Sequence, residues 1–544
     1  MGTMHHLLAV LLIGLLLSTY WAAREFCRQT VGFRKSEWAL GLLLFGVALA
    51  LRLVFVDPTL LHTNFHGLYF LDIPLSQRVA GGALLAEKAG YGLTNYTFYH
   101  LLWAYLPRTL GVYYFVNAIL SSGCACLTYL LVRVLGGRVL WALCAGLTLA
   151  ILPAHAGVSL SENDIILSSF FCLAGLAAWI AFLRFNSKVL FFWSLACLVV
   201  AVHSRVLVLS APPVYVMAWW LHRPGAKASF RSPWAIAGLL ATVASCLPQY
   251  VHICALLQSQ ATTGASAASL VQLPLSFFTP SHNLLLNWQF VPTVVPAGVA
   301  VSVWLCATSR SPGRDTLLGA TLVWGLLYLY FSNHPLDALR YQFFVWPFYS
   351  ALATAFLDFM PQRSTFWRGQ APAAVAVAWL ILATATSVPF LGRPEAARAI
   401  SEELRFIRET LPQLADTSPL AVNDSIVVEG RPPIRAVLIP DFLLAEAGLG
   451  GGAHGPKVLV FGPDSRLPEG PLLLYVGLQA HARYDHEPLD PLSPRISPPA
   501  LLERYKWTPI KEHKMDVSAQ SPGPSLLYGN SNVTIGFYLL VPAS

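Results

Sequence analysis

Charge is what this sequence has least of. Only 11% of its 544 residues are Asp, Glu, Lys or Arg, against about a quarter in a water-soluble domain. A chain with so few charges does not keep most of its surface in water. Cysteine is absent after Cys306, so no disulfide holds the C-terminal part, and no zinc-ligand spacing occurs anywhere. Most of the nine cysteines, such as Cys124, Cys126, Cys144 and Cys172, fall inside apolar runs. The long stretch 257–285 has no Lys or Arg at all. The net charge of +8 is not gathered into a basic block. It is spread over short connectors, which excludes a nucleic-acid partner and reads as a topology signal.

Apolar runs near twenty residues recur from the N-terminus to about Leu391. That is the length a helix needs to cross a bilayer. The runs are apolar all round rather than striped, as lipid-embedded helices are. They predict spans at 5–22, 37–56, 111–133, 136–153, 164–184, 188–202, 206–221, 233–256, 286–308, 315–331, 341–359 and 371–391. The expected fold class is an all-α polytopic membrane protein of about 11–13 transmembrane helices, with a small C-terminal α/β domain. The predicted division is 1–395 for the membrane domain and 396–544 for the soluble one.

Every second connector is basic: Arg24, Arg28, Arg34 and Lys35; Arg133 and Arg138; Arg184 and Lys188; Arg223, Lys227 and Arg231; Arg310 and Arg314; Arg363 and Arg368. By the positive-inside rule these are cytoplasmic. The alternate connectors 57–110, 154–163, 203–205, 257–285 and 332–340, and everything after about 391, are then outside. The first run resembles a signal peptide ending near Trp21-Ala-Ala. It lacks a basic leader, and cleavage would break the charge phase, so a retained helix is expected.

Ionisable residues concentrate in the outer connectors. The first carries Asp57, His62, His66, Asp72, Arg78, Glu87 and Lys88, and its second half is apolar enough to lie along the membrane surface. The second contains Ser161-Glu162-Asn163-Asp164, the third is His203-Ser204-Arg205, and SNHPLDALR at 332–340 carries His334, Asp337 and Arg340. Such groups at helix ends need water or one another, which points to one polar cavity at the outer face. Each also has an ordinary reading. Asp164 suits a helix N-cap, Asp72 a turn before Pro74, and Arg340 a snorkelling arginine at a helix end, while Arg52 suits a structural anchor as well as a site residue.

Several segments together resemble the GT-C superfamily of membrane glycosyltransferases, which includes protein O-mannosyltransferases and the lipid A aminoarabinose transferase. They are ALALRLVFV with Arg52; YGLTNYTFYHLLWAYLPRTLGVYYFVNAIL with Asn117; SLSENDIILSSFF; and LRYQFFVWPFYSALATAF. The resemblance covers roughly 37–360, and a soluble domain following the last span fits it too. It departs at one place: the family usually has an Asp early in the first outer loop, where this chain reads Asn64-Phe65-His66-Gly67. Either Asp72 fills that role in a shifted register, or His66 does, or the acid is Glu162 or Asp164, or activity is lost.

The resemblance implies transfer of a hexosyl or pentosyl sugar from a polyprenyl-phosphate donor to a glycan, lipid or protein acceptor on the outer side. Asp72 would be the favoured base, taking the acceptor's proton as the new bond forms, with Glu162, Asp164 and His66 as competitors. Arg340 would meet the leaving phosphate, with Arg205, His203 and Tyr341 beside it. Acidic pairs can alternatively hold a divalent metal through oxygen. The family's lipid-monophosphate users are expected to need none, so no metal and no cofactor is expected. A secondary transporter and a non-catalytic membrane scaffold are the competing readings. Composition leans towards a bacterial inner membrane over the endoplasmic reticulum.

In the tail, AARAISEELRFIRETLPQLA has the period of an amphipathic helix. Runs at Ser425, Lys457, Pro471 and Thr534 read as strands. His481-Ala-Arg-Tyr-Asp485-His486-Glu487 reads as a solvated loop before a metal site. Asn95-Tyr-Thr, Asn423-Asp-Ser and Asn532-Val-Thr match the glycosylation triplet.

Overall fold

The computed structural model of the protein describes residues 2–29, 35–55, 93–106, 110–159, 163–205, 208, 210–222, 230–261, 285, 291–308, 311–331, 342–363 and 371–391. It also describes parts of 402–414 and the strands 420–422, 459–460, 472–476, 505–516 and 532–542. The chain divides into two compact units, one of residues 1–56, 81–101 and 115–392, the other of 57–80, 102–114 and 393–544.

The helices of the first unit follow the apolar runs. They are α1 (Gly2–Gln29), α2 (Lys35–Phe55), α3 (Leu93–Trp103), α4 (Leu110–Val134), α5 (Val139–Ile151), α6 (Pro153–Val158), α7 (Asn163–Phe185), α8 (Lys188–Ser204), α9 (Ala211–His222), α10 (Pro233–Ala261), α11 (Val294–Thr308) and α12 (Pro312–Phe331). After a 3-10 turn (Gln342–Val345) come α13 (Trp346–Ala353), α14 (Phe356–Arg363) and α15 (Ala371–Leu391). Among the described residues six segments are long and apolar enough to cross a bilayer: Met4–Phe26, Ser36–Val54, Tyr114–Val134, Ile165–Phe185, Pro233–Val251 and Ala371–Pro389. Shorter apolar helices lie at Val139–Ile151, Lys188–Ser204, Val294–Thr308 and Phe343–Phe359. The chain is an integral, multi-pass membrane protein.

Sorting by surface supports this. Leu16, Leu42 and Val54 are exposed at 75%, 69% and 72%, tolerable where the surrounding solvent is lipid rather than water. By contrast α7 is buried along almost its whole length. Its Trp179 and Phe182 pack against Phe191, Tyr215, Phe230 and Trp234. Close approach of helices depends on small residues. A Cβ on Gly146 of α5 would lie 2.5 Å from Leu44 of α2 and 2.9 Å from the Ala125 carbonyl of α4.

Local chemistry sets the turns. Gly136, at φ 95°, ends α4, and Gly137 N–H donates to Val132 O at 2.9 Å. This left-handed cap suits a residue with no Cβ. Asn186, at φ 58°, makes the tight turn between α7 and α8. Leu152, forced extended before Pro153, ends α5 (φ −67°, ψ 116°), and Pro153 then opens α6 from its first turn. The connector expected at 154–163 therefore begins as a helix.

Other bounds shift as well. The run at 206–221 is helical in α9 from Ala211, and that at 286–308 in α11 from Val294. α10 continues to Ala261, into the connector expected at 257–285. The span expected at 341–359 is broken. Thr354 Oγ1 bonds back to Ser350 O at 3.0 Å, a pairing that bends helices. Ser302 Oγ of α11 accepts the freed Phe356 N–H at 3.1 Å.

The cationic connectors meet one another. Arg133 at the end of α4 holds Glu37 at the start of α2 through two bonds, Nε–Oε2 at 2.7 Å and Nη2–Oε1 at 3.0 Å. Tyr129 donates to the same carboxylate at 2.7 Å. Arg138 approaches Asp358 at 3.8 Å, Arg184 donates to Val134 O, and Arg314 lies 3.7 Å from the centre of the Phe359 ring. Connectors in the same charge phase thus gather at one end of the bundle.

In the second unit, Glu402, Arg405, Phe406, Glu409, Thr410, Gln413 and Leu414 are helical. Phe406 and Thr410 are buried, one turn apart, while Arg405 and Glu409 face out. The strands β1 (Leu420–Val422), β2 (Leu459–Val460), β3 (Leu472–Val476), β4 (Tyr505–Asp516) and β5 (Asn532–Pro542) form one mixed sheet in the order β2-β1-β3-β5-β4. β1 runs parallel to β2 and β3, and the β5 pairings are antiparallel. Phe406 packs on Phe537 and stacks on His513, whose Nε2 lies 2.6 Å from Glu402 Oε1. An α/β tail is therefore present. The expected strand at Ser425 and the His481–Glu487 segment lie outside the described residues. β1 and β4 were not expected. β1 is short, and β4 interrupts its pattern with charges and with Pro509, which sits at a bulge in this outermost strand.

Candidate functional site: a buried polar belt

Glu37 and Arg52 mark the two ends of α2, fifteen residues or about 22 Å apart. Arg52 therefore lies at the end away from the cationic connectors. Its side chain is fully buried and joins four helices. Nε donates to Ser121 Oγ of α4 at 2.8 Å. Nη1 donates to Ala48 O of its own helix at 2.9 Å and to Ala150 O, near the end of α5, at 3.4 Å. Nη2 donates to His155 Nδ1 of α6 at 2.8 Å. None of these partners is charged, and the ion pairs among the described residues do not include Arg52. The Ala150 carbonyl belongs to a helix C-terminus, whose partial negative charge offers some compensation.

Arg52 settles the protonation of His155. A guanidinium N–H only donates, so Nδ1 accepts and Nε2 carries the proton. That Nε2 is buried without a hydrogen-bond partner. Burial, and then the Arg52 charge, push the His155 pKa well below its usual value, so the ring is neutral. Phe343 stacks on it, 4.6 Å between centres.

The belt continues through α4 and α3. Asn117 stands one turn from Ser121 and accepts the Tyr99 hydroxyl at 2.9 Å. Burial raises the Tyr99 pKa far above normal. From α3, Asn95 Oδ1 accepts Ser204 Oγ at 2.9 Å, Thr94 donates to Val200 O at 2.8 Å, and Thr97 meets His5 of α1 at 2.9 Å. His203 Nε2 lies 2.9 Å from Ser245 O of α10, while Arg205 is buried beside it in sequence and ends α8 in extended backbone. Asn95 is 1% exposed, so this triplet is closed to a glycan-transferring enzyme in the folded protein.

Each of four expected outer connectors adjoins this belt in sequence. Arg52 stands just before the first, His155 precedes Glu162 in the second, Ser204 and Arg205 form the third, and Phe343 follows Arg340 by three residues. Of the candidates named from sequence, His203 is buried and bonded to α10, and Arg205 is buried at the end of α8. Asp164 lies in the first turn of α7, with its side chain outside the described residues. His66, Asp72, Glu162, Arg340 and Tyr341 lie outside them altogether. Tyr99, Ser121 and His155 were missed. The signal available for His155 was its place directly after the Leu152-Pro153 helix break. Among the described residues no three His, Cys, Asp or Glu side chains group as a metal site would require.

No protein-family model matches the sequence, and no curated protein does. Among solved structures the chain is similar to the apo oligosaccharyltransferase of Archaeoglobus fulgidus. That similarity has a TM-score of 0.39 and 13% identity over 72% of this chain. It spans 63% of the other chain. A likeness so distant decides nothing about function, which has to be read from this chain's own residues.

In chemical terms the belt supplies a fixed cation, a neutral imidazole with a free donor, and hydroxyl and amide groups held in place by buried contacts. Such a set can orient a polar head at the end of a membrane bundle.

Proposed function

We propose that this chain is a membrane glycosyltransferase of GT-C type. It moves a hexosyl or pentosyl sugar from a polyprenyl-phosphate donor to a glycan, lipid or protein acceptor on the extracytoplasmic side. The observation that carries the reading is the polar belt at the Arg52 end of α2, adjoined in sequence by the connectors that hold Asp72, Glu162 and Arg340. The positive-inside rule puts this end outside. A lipid-borne donor explains why polar chemistry is built at the edge of a bilayer.

In one direct displacement, a carboxylate takes the acceptor hydroxyl's proton as its oxygen attacks the anomeric carbon. The sugar–phosphate bond breaks, the phosphate leaves with the electron pair, and the anomeric centre inverts. Arg340 meets the charge that develops there, with Tyr341, Arg205 and His203 ordering the site. Asp72 is the favoured base, ahead of Glu162, Asp164 and His66. The membrane is a bacterial inner membrane.

The test is sugar transfer in proteoliposomes supplied with a polyprenyl-phosphate sugar. Activity lost in the Asp72→Ala, Glu162→Ala or Arg340→Ala variant supports the site, and full transfer in all three refutes it. Solute flux without transfer identifies a transporter, and neither activity a scaffold.

A further inference from the structure

The buried polar groups at the end of α2 are not balanced, and the imbalance has a sign. Arg52 brings a full positive charge into a site whose other described polar groups are a hydroxyl, two carbonyls and an imidazole. Removing an ion from water is expensive unless something of opposite charge answers it. Independently, His155 ends this chain of bonds with a donor that has nothing to donate to. Fully buried donors are rarely left so. One occupant satisfies both observations: an anionic oxygen that accepts from Nε2–H while lying within the field of Arg52. The arrangement is a relay, because the guanidinium drawing on Nδ1 makes the far Nε2–H a stronger donor. Phe343, stacked on the ring, holds its plane, so the donor direction is fixed.

We infer that His155, backed by Arg52, is an anion subsite for a phosphoryl oxygen, supplied by a lipid phosphate or by free phosphate. A phosphate supplies both needs together, negative charge and acceptor oxygens; a sugar hydroxyl leaves the Arg52 charge unanswered. The lipid source rests on the transferase reading, whereas binding of the phosphoryl group does not. Its His155 was not among the candidate residues read from sequence.

Two substitutions dissect the imidazole. His155→Asn keeps an acceptor near Nδ1 for Arg52 and removes the far donor. His155→Gln keeps a donor near Nε2. Calorimetric titration of the full chain in detergent uses dodecyl phosphate and inorganic phosphate as probes. Wild type binds dodecyl phosphate. H155N weakens it about tenfold or more, the loss of one charge-assisted hydrogen bond, and H155Q stays within about threefold of wild type. Tighter binding of dodecyl phosphate than of inorganic phosphate identifies a lipid source; equal binding, with the same H155N loss, identifies free phosphate. Failure of wild type to bind either probe overturns the inference, as does wild-type binding by H155N, which would leave a buried water as the partner of Nε2. Should H155N not fold, isotope-labelled histidine in the wild type gives the second readout. The Nε2–H resonance of His155 moves on adding dodecyl phosphate, and no movement overturns the subsite. Phosphate binding without sugar transfer refutes the transferase and leaves the subsite standing. Sugar transfer with undiminished binding by H155N does the reverse.

Discussion

The Glu37–Arg133 pair offers the sharpest test of how the bundle is held at its cationic end. Both groups are largely withdrawn from solvent, at 3% and 11% side-chain exposure, and joined by two bonds at 2.7 and 3.0 Å. Tyr129 donates a third bond to the carboxylate, and Arg133 donates a fourth to Gly137 O at 2.6 Å. Replacing Glu37 by Met leaves a buried guanidinium with that carbonyl alone. Replacing Arg133 by Met takes two bonds from a buried carboxylate and keeps the one from Tyr129. Each single change is expected to destabilise by about 3–5 kcal/mol, the range for breaking a buried pair from one side. The double variant, with apolar chains of similar length facing each other, should recover much of this, because neither charge is stranded. A cycle of unfolding measurements in mixed micelles, followed by tryptophan fluorescence, should give a coupling above about 2 kcal/mol. Losses that simply add in the double variant would show that the two residues act independently. The view that α2 is pinned to α4 by this pair would then fall.

Three further outcomes are expected. The neutral His155 of the folded state refuses a proton that the unfolded chain accepts below about pH 6.5. The unfolded state therefore binds more protons in that window. Stability falls as pH drops through it, by up to about 1.4 kcal/mol per pH unit, and H155Q should flatten the melting-temperature profile between pH 5 and 6.5. Asn95→Gln should leave electrophoretic mobility unchanged after expression in a glycosylating host; a mobility loss equal to one glycan would contradict the buried Asn95. Gly146→Ala should destabilise by about 1–3 kcal/mol, since its Cβ meets Leu44 and the Ala125 backbone; an unchanged melting temperature would refute that close contact.

The helices were legible because a bilayer leaves the backbone few options. Unpaired N–H and C=O groups in lipid cost several kcal/mol each, so a long apolar run is a helix whatever surrounds it. The charge phase was legible for the same reason, and the contacts from Arg133 to Glu37 and Arg138 to Asp358 bring its connectors together. Helix breaks were readable only in part. Pro153 marks its own break, but the one at Thr354 depends on a hydroxyl of α11 that receives the freed Phe356 N–H.

The polar belt was the least legible part, for a physical reason. Its bonds join residues 69 and 103 positions apart, and no periodicity within one helix records a partner on another. Sequence pointed to polar residues in the connectors, where they stand out against apolar surroundings. A serine inside an apolar helix, such as Ser121, looks like an ordinary small residue until Arg52 reaches it. Arg52 itself reads equally as a structural anchor or a site residue from its position near a helix end. A snorkelling arginine carries its charge out to water or lipid headgroups, whereas this one turns inward, fully buried, and spends its donors on three neighbouring helices and on its own. Position along a helix therefore could not distinguish an anchor from a site. Burial together with neutral partners does, because a charge held away from water needs an answering group, and at Arg52 the described residues provide no carboxylate to be one.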